Sequence, residues 1–259
     1  MISKEKIKQL TKKKFVYFLN KGDEAIKEAL KIAKSKGKDT LVLADQGGWM
    51  SYKKFGKRLG FSMIEMETDF GIVELDLLGF ALSQNKNTVL LLNSFAGYHA
   101  EQPVDDIISL CKKYNCLFIN DASGTIGTDL CRGDIIVASL GEWKAVDLGE
   151  GGVLAIDEEI KKDDAKLDEE KLLEKLNNLP KRFKFLFDKC EKIKQDLKGF
   201  DILHKDSRGI VVIVRFRNEE EKSKILKYCE ENKLENTLCP REIRVKANAV
   251  SIEVKRLNL

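Results

Sequence analysis

Along the first 156 residues, short apolar runs alternate with amphipathic stretches. Phe15–Leu19, Thr40–Ala44, Ser62–Met66 and residues 88–92, 116–120, 134–138 and 153–156 are mostly apolar, the pattern of strands covered on both faces. Between them, residues 23–35, 51–59, 74–84 and 104–114 repeat apolar side chains at helical spacing. In 23–35 these are Ala25, Ile26, Ala29, Leu30, Ile32 and Ala33, with Asp23 as the expected helix cap. Residues 1–13 read as a short basic helix. Strand following helix following strand predicts a three-layer α/β domain over residues 1–157, a mostly parallel sheet between helices.

Beyond residue 157 the pattern changes. Residues 157–171 are strongly charged and read as a solvated connection into a long lysine-rich helix over 169–197. A strand near Ile202, a strand over 210–216, a helix over 219–232 and closing strands at 243–245 and 250–254 follow. That order predicts a small α+β domain with antiparallel strands over 158–259.

Composition narrows the function classes. The chain has 259 residues, 43% hydrophobic and 34% charged, with a net charge of +4 from 46 basic and 42 acidic residues that are interspersed. Such a balance argues for a globular protein and against nucleic-acid or membrane partners. The first residues lack an apolar core segment, and no run approaches the ~18–20 apolar residues that span a bilayer, so a cytoplasmic location is expected. Six cysteines without a paired CxxC, and only two histidines, favour small buried side chains over a metal centre, including the closest pair, Cys111 and Cys116.

The segment with the most chemical character is 134–155, DIIVASLGEWKAVDLGEGGVLA. Two apolar runs flank a tight, glycine-rich connection that carries one lysine, Lys144. An amine withheld from bulk water is expected to lose its proton more readily and to attack carbonyls as a nucleophile. An ordinary surface lysine in a hairpin is the alternative. Three further residues stand at the ends of strands, where ligands bind in open parallel sheets: Asp121 in INDASGTIG, Trp49 after two glycines, and His99 in NSFAGYHAEQ.

Ser139, four residues, Lys144, four residues and Gly149-Glu150-Gly151-Gly152 together resemble the cofactor-lysine segment of the DegT/DnrJ-type aminotransferases, fold type I enzymes that use pyridoxal 5′-phosphate (PLP). The resemblance spans roughly residues 20–156. It implies that Lys144 carries PLP as a Schiff base and that Ser139 contacts the cofactor phosphate. Asp121-Ala122 resembles the family's Asp-Ala-Ala, whose aspartate pairs with the pyridine nitrogen, and Trp49 resembles the aromatic residue stacked on the ring. The family's phosphate-binding turn corresponds to Lys21-Gly22-Asp23-Glu24-Ala25. There Gly22 fits, whereas Asp23 and Glu24 bring two carboxylates toward a dianion. Gly124 replaces the Gln or His usual beside the ring oxygen, and the C-terminal region is short for the family.

The resemblance implies a PLP-dependent transferase, most simply an aminotransferase of small amino or keto substrates. It also implies a homodimer with the active site at its interface. Elimination or aldol chemistry uses the same core residues. Arg241 and Arg244 are candidates for a substrate carboxylate, with strand-edge charges as the plainer reading. A binding or regulatory protein that kept the fold is the competing class. A nucleotide-binding protein is disfavoured, because no Gly-x-Gly-x-x-Gly turn follows the first strand and no Gly-Lys-Ser/Thr loop occurs.

Overall fold

Seven strands form the central sheet of the computed structural model, which describes residues 2–241 and 243–258. They are β1 (Phe15–Leu19), β2 (Thr40–Ala44), β3 (Ser62–Met66), β4 (Thr88–Asn93), β5 (Leu117–Asp121), β6 (Ile135–Ser139) and β7 (Gly152–Ile156), in the spatial order β1-β7-β6-β5-β4-β2-β3. β7 runs antiparallel to both neighbours, and the pairings from β6 through β3 are parallel. Because β7 returns directly from β6, the 140–151 connection folds back over the carboxyl end of the sheet. Register places Asp121 beside Asn93 and Val137, so the ends of β4, β5 and β6 lie together there.

Alternation along each strand feeds two cores. Tyr17, Leu41, Leu43, Val89, Leu91, Ile135 and Val137 pack under α2 (Gly22–Ser35) and α3 (Ser51–Arg58). Val16, Phe18, Val42, Leu90, Leu92, Ile136 and Ala138 face the other way. They meet α1 (Ile2–Thr11), α4 (Leu75–Gln84), α5 (Val104–Lys113) and α6 (Glu169–Asp196). These helices make the three layers that the alternating pattern predicts. All six cysteines are buried.

The charged 157–171 stretch is pinned along the edge strand rather than loose. Asp164 accepts from the Phe18 amide at 2.8 Å, and the Ala165 amide donates to the Phe18 carbonyl at 2.9 Å. α6 then crosses from the seven-stranded sheet to a four-stranded antiparallel sheet. Its strands are β8 (Asp201–Ile202), β9 (Val212–Arg215), β10 (Asn236–Leu238) and β11 (Ala249–Ile252), in the order β8-β9-β11-β10, with α7 (Glu219–Glu231) packed alongside β11.

Two local expectations fail. Residues 243–245 form no strand, and 236–238 pairs with β11 in their place. The Arg244 amide turns back to the Arg241 carbonyl at 3.0 Å, and its side chain is drawn inward to buried Glu253, so the backbone cannot extend. After β11 the chain enters a 3₁₀ turn, Val254–Arg256. The cap of α2 is Lys21, without a side-chain bond, and Asp23 lies inside the first turn with its carboxylate engaged elsewhere. Among the described residues, no helix is long and apolar enough to cross a membrane.

Candidate active site

A cavity of about 680 Å³ opens at the carboxyl end of the sheet, and Lys144, Asp121, Trp49, Gly22 and Ser139 all line it. They come from five places in the chain: the β6–β7 connection, the end of β5, the turn after β2, the start of α2 and the end of β6. The topology that stacks parallel strand ends therefore also gathers the residues singled out in the sequence.

Lys144 is half-buried in a loop held at both ends. Leu148 and Gly149 donate to the Leu140 carbonyl at 2.8 and 3.1 Å, and the Ala145 amide donates to the Ser123 carbonyl at 3.3 Å. Its amine donates to the Tyr98 hydroxyl at 3.1 Å and lies 5.4 Å from the Trp49 ring centre. The expectation of a readily lost proton is not met. Burial pulls the Lys144 pKa down, but the Tyr98 hydroxyl and the Asp121 carboxylate outweigh it, and the net displacement is upward. The resting amine is an ammonium.

Asp121 is buried and held by three donors, which leave one acceptor position on Oδ2. Tyr52, on α3, donates its hydroxyl to Oδ2 at 2.5 Å, while Ser123 donates both its amide and its hydroxyl to Oδ1. Burial and the adjacent carboxylate push the Tyr52 hydroxyl well above its usual range, so it remains a donor. Ser123 Oγ also accepts from the Ser139 amide at 2.8 Å, tying the end of β5 to the end of β6.

The start of α2 abuts Ser139. A Cβ at Gly22 would lie 2.6 Å from Ser139 Cβ, so glycine is what lets the helix opening reach the serine hydroxyl. No side chain caps this end. The two acidic residues of the turn are both engaged in hydrogen bonds. Asp23 Oδ1 accepts from the Trp49 indole at 2.7 Å and from Ser51 at 3.0 Å, and Glu24 reaches back to the Asn20 amide at 3.2 Å.

The opposite wall comes from the C-terminal segment. Arg244 and Glu253, both buried, form a two-point ion pair at 2.9 and 2.7 Å, joined by Lys255 Nζ at 3.4 Å. Burial and the neighbouring cations lower the Lys255 pKa to about 8, against the pull of Glu253. Arg256 stacks over Trp143 at 4.4 Å and pairs through Nη1 with Glu235 at 2.5 Å, while its buried Nε, 4.0 Å from Glu253, makes no hydrogen bond among the described residues.

Arg244 thus reaches the cavity but is committed to Glu253, Arg241 is exposed and does not line the cavity, and His99 is buried away from it. Tyr52, Tyr98, Ser123, Lys255 and Arg256 were not singled out from sequence. Only the second had a signal there: the gap at Gly124, where a Cβ would lie 2.8 Å from the Tyr98 ring.

One family description matches the chain, the MJ1341 family C-terminal domain, over residues 180–259. No curated protein matches it in sequence. Its fold is similar to that of 3-amino-5-hydroxybenzoic acid synthase, at 14% identity and a TM-score of 0.75, covering 99% of this chain and 86% of that one. A putative sugar aminotransferase from Streptococcus pneumoniae in its PMP form gives 11% identity, a TM-score of 0.75 and coverage of 98% and 84%. Ureidoglycine-glyoxylate aminotransferase from Bacillus subtilis gives 14%, 0.70, 96% and 77%. The chain thus has the PLP-dependent transferase-like α/β fold, and the likeness extends through the C-terminal unit rather than stopping near residue 156.

Proposed function

We propose that the chain is a PLP-dependent enzyme, an aminotransferase acting on a small amino or keto substrate, with Lys144 as the cofactor lysine. The observation that carries this reading is that an amine, a buried carboxylate, an indole face and a helix opening beside a hydroxyl meet around one cavity large enough for a cofactor and a small substrate. The donor set fits PLP. The uncapped first turn of α2 and Ser139 Oγ suit its phosphate, Asp121 suits a protonated ring nitrogen, and Trp49 suits the ring face. The Gly22 cradle that a Cβ would fill supports the phosphate assignment.

When bound, PLP supplies an electron-withdrawing ring that stabilises negative charge on the substrate carbon. The remaining work falls to the chain. Tyr52 and Ser123 fix the two oxygens of Asp121 so that the carboxylate keeps its direction. Trp49, anchored by Asp23, covers one face and excludes water. Once it has lost its own proton, Lys144 Nζ would be the group to take a proton from the substrate carbon and return it. Lys255 and Arg256 also line the cavity wall, and an acidic group of the substrate would share them with Glu253 and Glu235, with which they are already paired. A homodimer with the cavity at its interface belongs to the same proposal, supported by the resemblance and tested by sedimentation.

Exposure of the PLP-loaded protein to a panel of amino donors tests the reaction type. An aminotransferase converts the bound cofactor to its amine form without added acceptor, read as loss of the visible band. Product formation with the band retained points to elimination or aldol cleavage instead. One observation favours a binding role: the Asp23 carboxylate stands beside the phosphate turn. Failure to retain PLP at all would decide for it.

A further inference from the structure

Tyr98 occupies an unfavourable backbone position and is held there from several sides. Its φ is +68°, in the left-handed region that side-chain residues avoid. Its amide donates to the Phe95 carbonyl at 3.1 Å, and its carbonyl accepts from the Ile210 amide, in the C-terminal unit, at 2.8 Å. Its ring fills the space left by Gly124, where a Cβ would meet two ring carbons at 2.8 and 2.9 Å. Non-glycine residues in such conformations persist only where the surroundings over-determine them, and they concentrate at functional sites.

Three cations surround the ring: Lys144 Nζ at 5.1 Å, Lys255 Nζ at 5.3 Å and the Arg244 guanidinium at 5.7 Å from its centre. Of these, Lys144 also reaches the hydroxyl, at 3.1 Å.

We infer that Tyr98 is a positioning residue for Lys144, its hydroxyl anchoring the amine inside the cavity. The inference rests on Lys144 being the reactive amine of the proposed function. A phenol suits the task because it is both acceptor and donor. The ammonium donates to the phenol oxygen, and once the amine has lost its proton the phenol O–H turns and donates to the nitrogen lone pair. The nitrogen keeps its place in both states. Burial favours the neutral amine of Lys144, and the contact with Tyr98 opposes it.

Tyr98→Phe removes the oxygen and keeps the ring, so the fold and the cation–ring contacts should survive. The readout is trace acetic-anhydride labelling of Lys144 across pH, followed by peptide mass spectrometry, on the chain without PLP. The labelling midpoint should fall by about one pH unit in Tyr98→Phe while other lysines hold theirs. Gly124→Ala, which pushes the ring aside with the hydroxyl still present, should shift it in the same direction. An unchanged midpoint in a normally folded Tyr98→Phe protein overturns the inference. Since no PLP is present, this result is independent of the proposed function. A wild-type chain that takes up no PLP would sink that reading and leave the Tyr98 measurement intact.

Discussion

The indole N–H of Trp49 donates to Oδ1 of Asp23 at 2.7 Å, and the Ser51 hydroxyl donates to the same oxygen at 3.0 Å. A carboxylate that would repel a phosphate at the start of α2 is thereby turned into the anchor of Trp49. Its charge nevertheless remains beside the proposed phosphate site. Asp23→Asn keeps an acceptor for the indole and removes the charge, so PLP should bind more tightly by about 1 kcal/mol. The helix should lose about 0.3–1 kcal/mol through the weakened dipole interaction. Absorbance titration with PLP and thermal unfolding measure the two effects. Weaker PLP binding in Asp23→Asn would mean that the anchor matters more than the repulsion.

Gly22→Ala places a methyl 2.6 Å from Ser139 Cβ and 3.1 Å from its Oγ. The helix opening must then retreat from β6. A stability loss of about 1–3 kcal/mol is expected from the overpacking, with PLP affinity falling at least roughly tenfold as the amides move off the phosphate. Affinity equal to wild type would place the phosphate elsewhere.

Asp121→Ala leaves the buried Tyr52 hydroxyl without its acceptor, at a cost of about 1–3 kcal/mol in urea unfolding. PLP should still attach to Lys144, because the phosphate and lysine contacts survive. Turnover should drop by about a hundredfold or more, since the partner of the ring nitrogen is gone. Full activity would remove Asp121 from the chemistry.

Acid should unfold the protein through two buried groups. His99, with neither ring nitrogen partnered among the described residues, has its pKa lowered to about 3 by burial and by His204 stacked on it at 5.4 Å. For Glu253, burial pushes the pKa up, but Arg244, Lys255 and Ser251 overcome it and hold it at about 2. Both values lie below those of the unfolded chain, so the unfolded state takes up protons first as pH falls. Stability from His99 is lost between pH 6.5 and about 3, on the order of 5 kcal/mol, and from Glu253 between pH 4.5 and about 2, on the order of 3 kcal/mol. Urea unfolding at a series of pH values should show this limb, and His99→Leu should flatten its upper part. An unchanged slope in His99→Leu would contradict the assignment.

Most strands of the seven-stranded sheet were legible because they are buried on both faces and read as apolar runs, the edge strand Ser62–Met66 being the half-exposed exception, and the helices between them keep one apolar stripe. Lys144, Asp121, Trp49 and Ser139 were legible because glycines and strand ends mark them locally. What escaped depends on contacts between distant residues. No local pattern tells that Tyr52, 69 positions away, donates to Asp121, or that Arg244 is drawn to Glu253 and so cannot extend a strand at 243–245. The charge of Lys144 escaped for the same reason: spacing indicates burial, whereas the balance is set by Tyr98 and Asp121. Asp23 has the composition of a helix cap, and only the position of Trp49 reveals its other use.

The central claim is that Lys144 holds PLP. A visible absorption spectrum of the purified chain with added PLP, before and after borohydride, with Lys144→Ala alongside, tests it most directly. The account predicts a band that borohydride removes, with the reduced cofactor recovered on the Lys144 peptide, and neither band nor label in a folded Lys144→Ala protein. A wild-type protein that shows no band, or one that carries the label on another lysine, would contradict it.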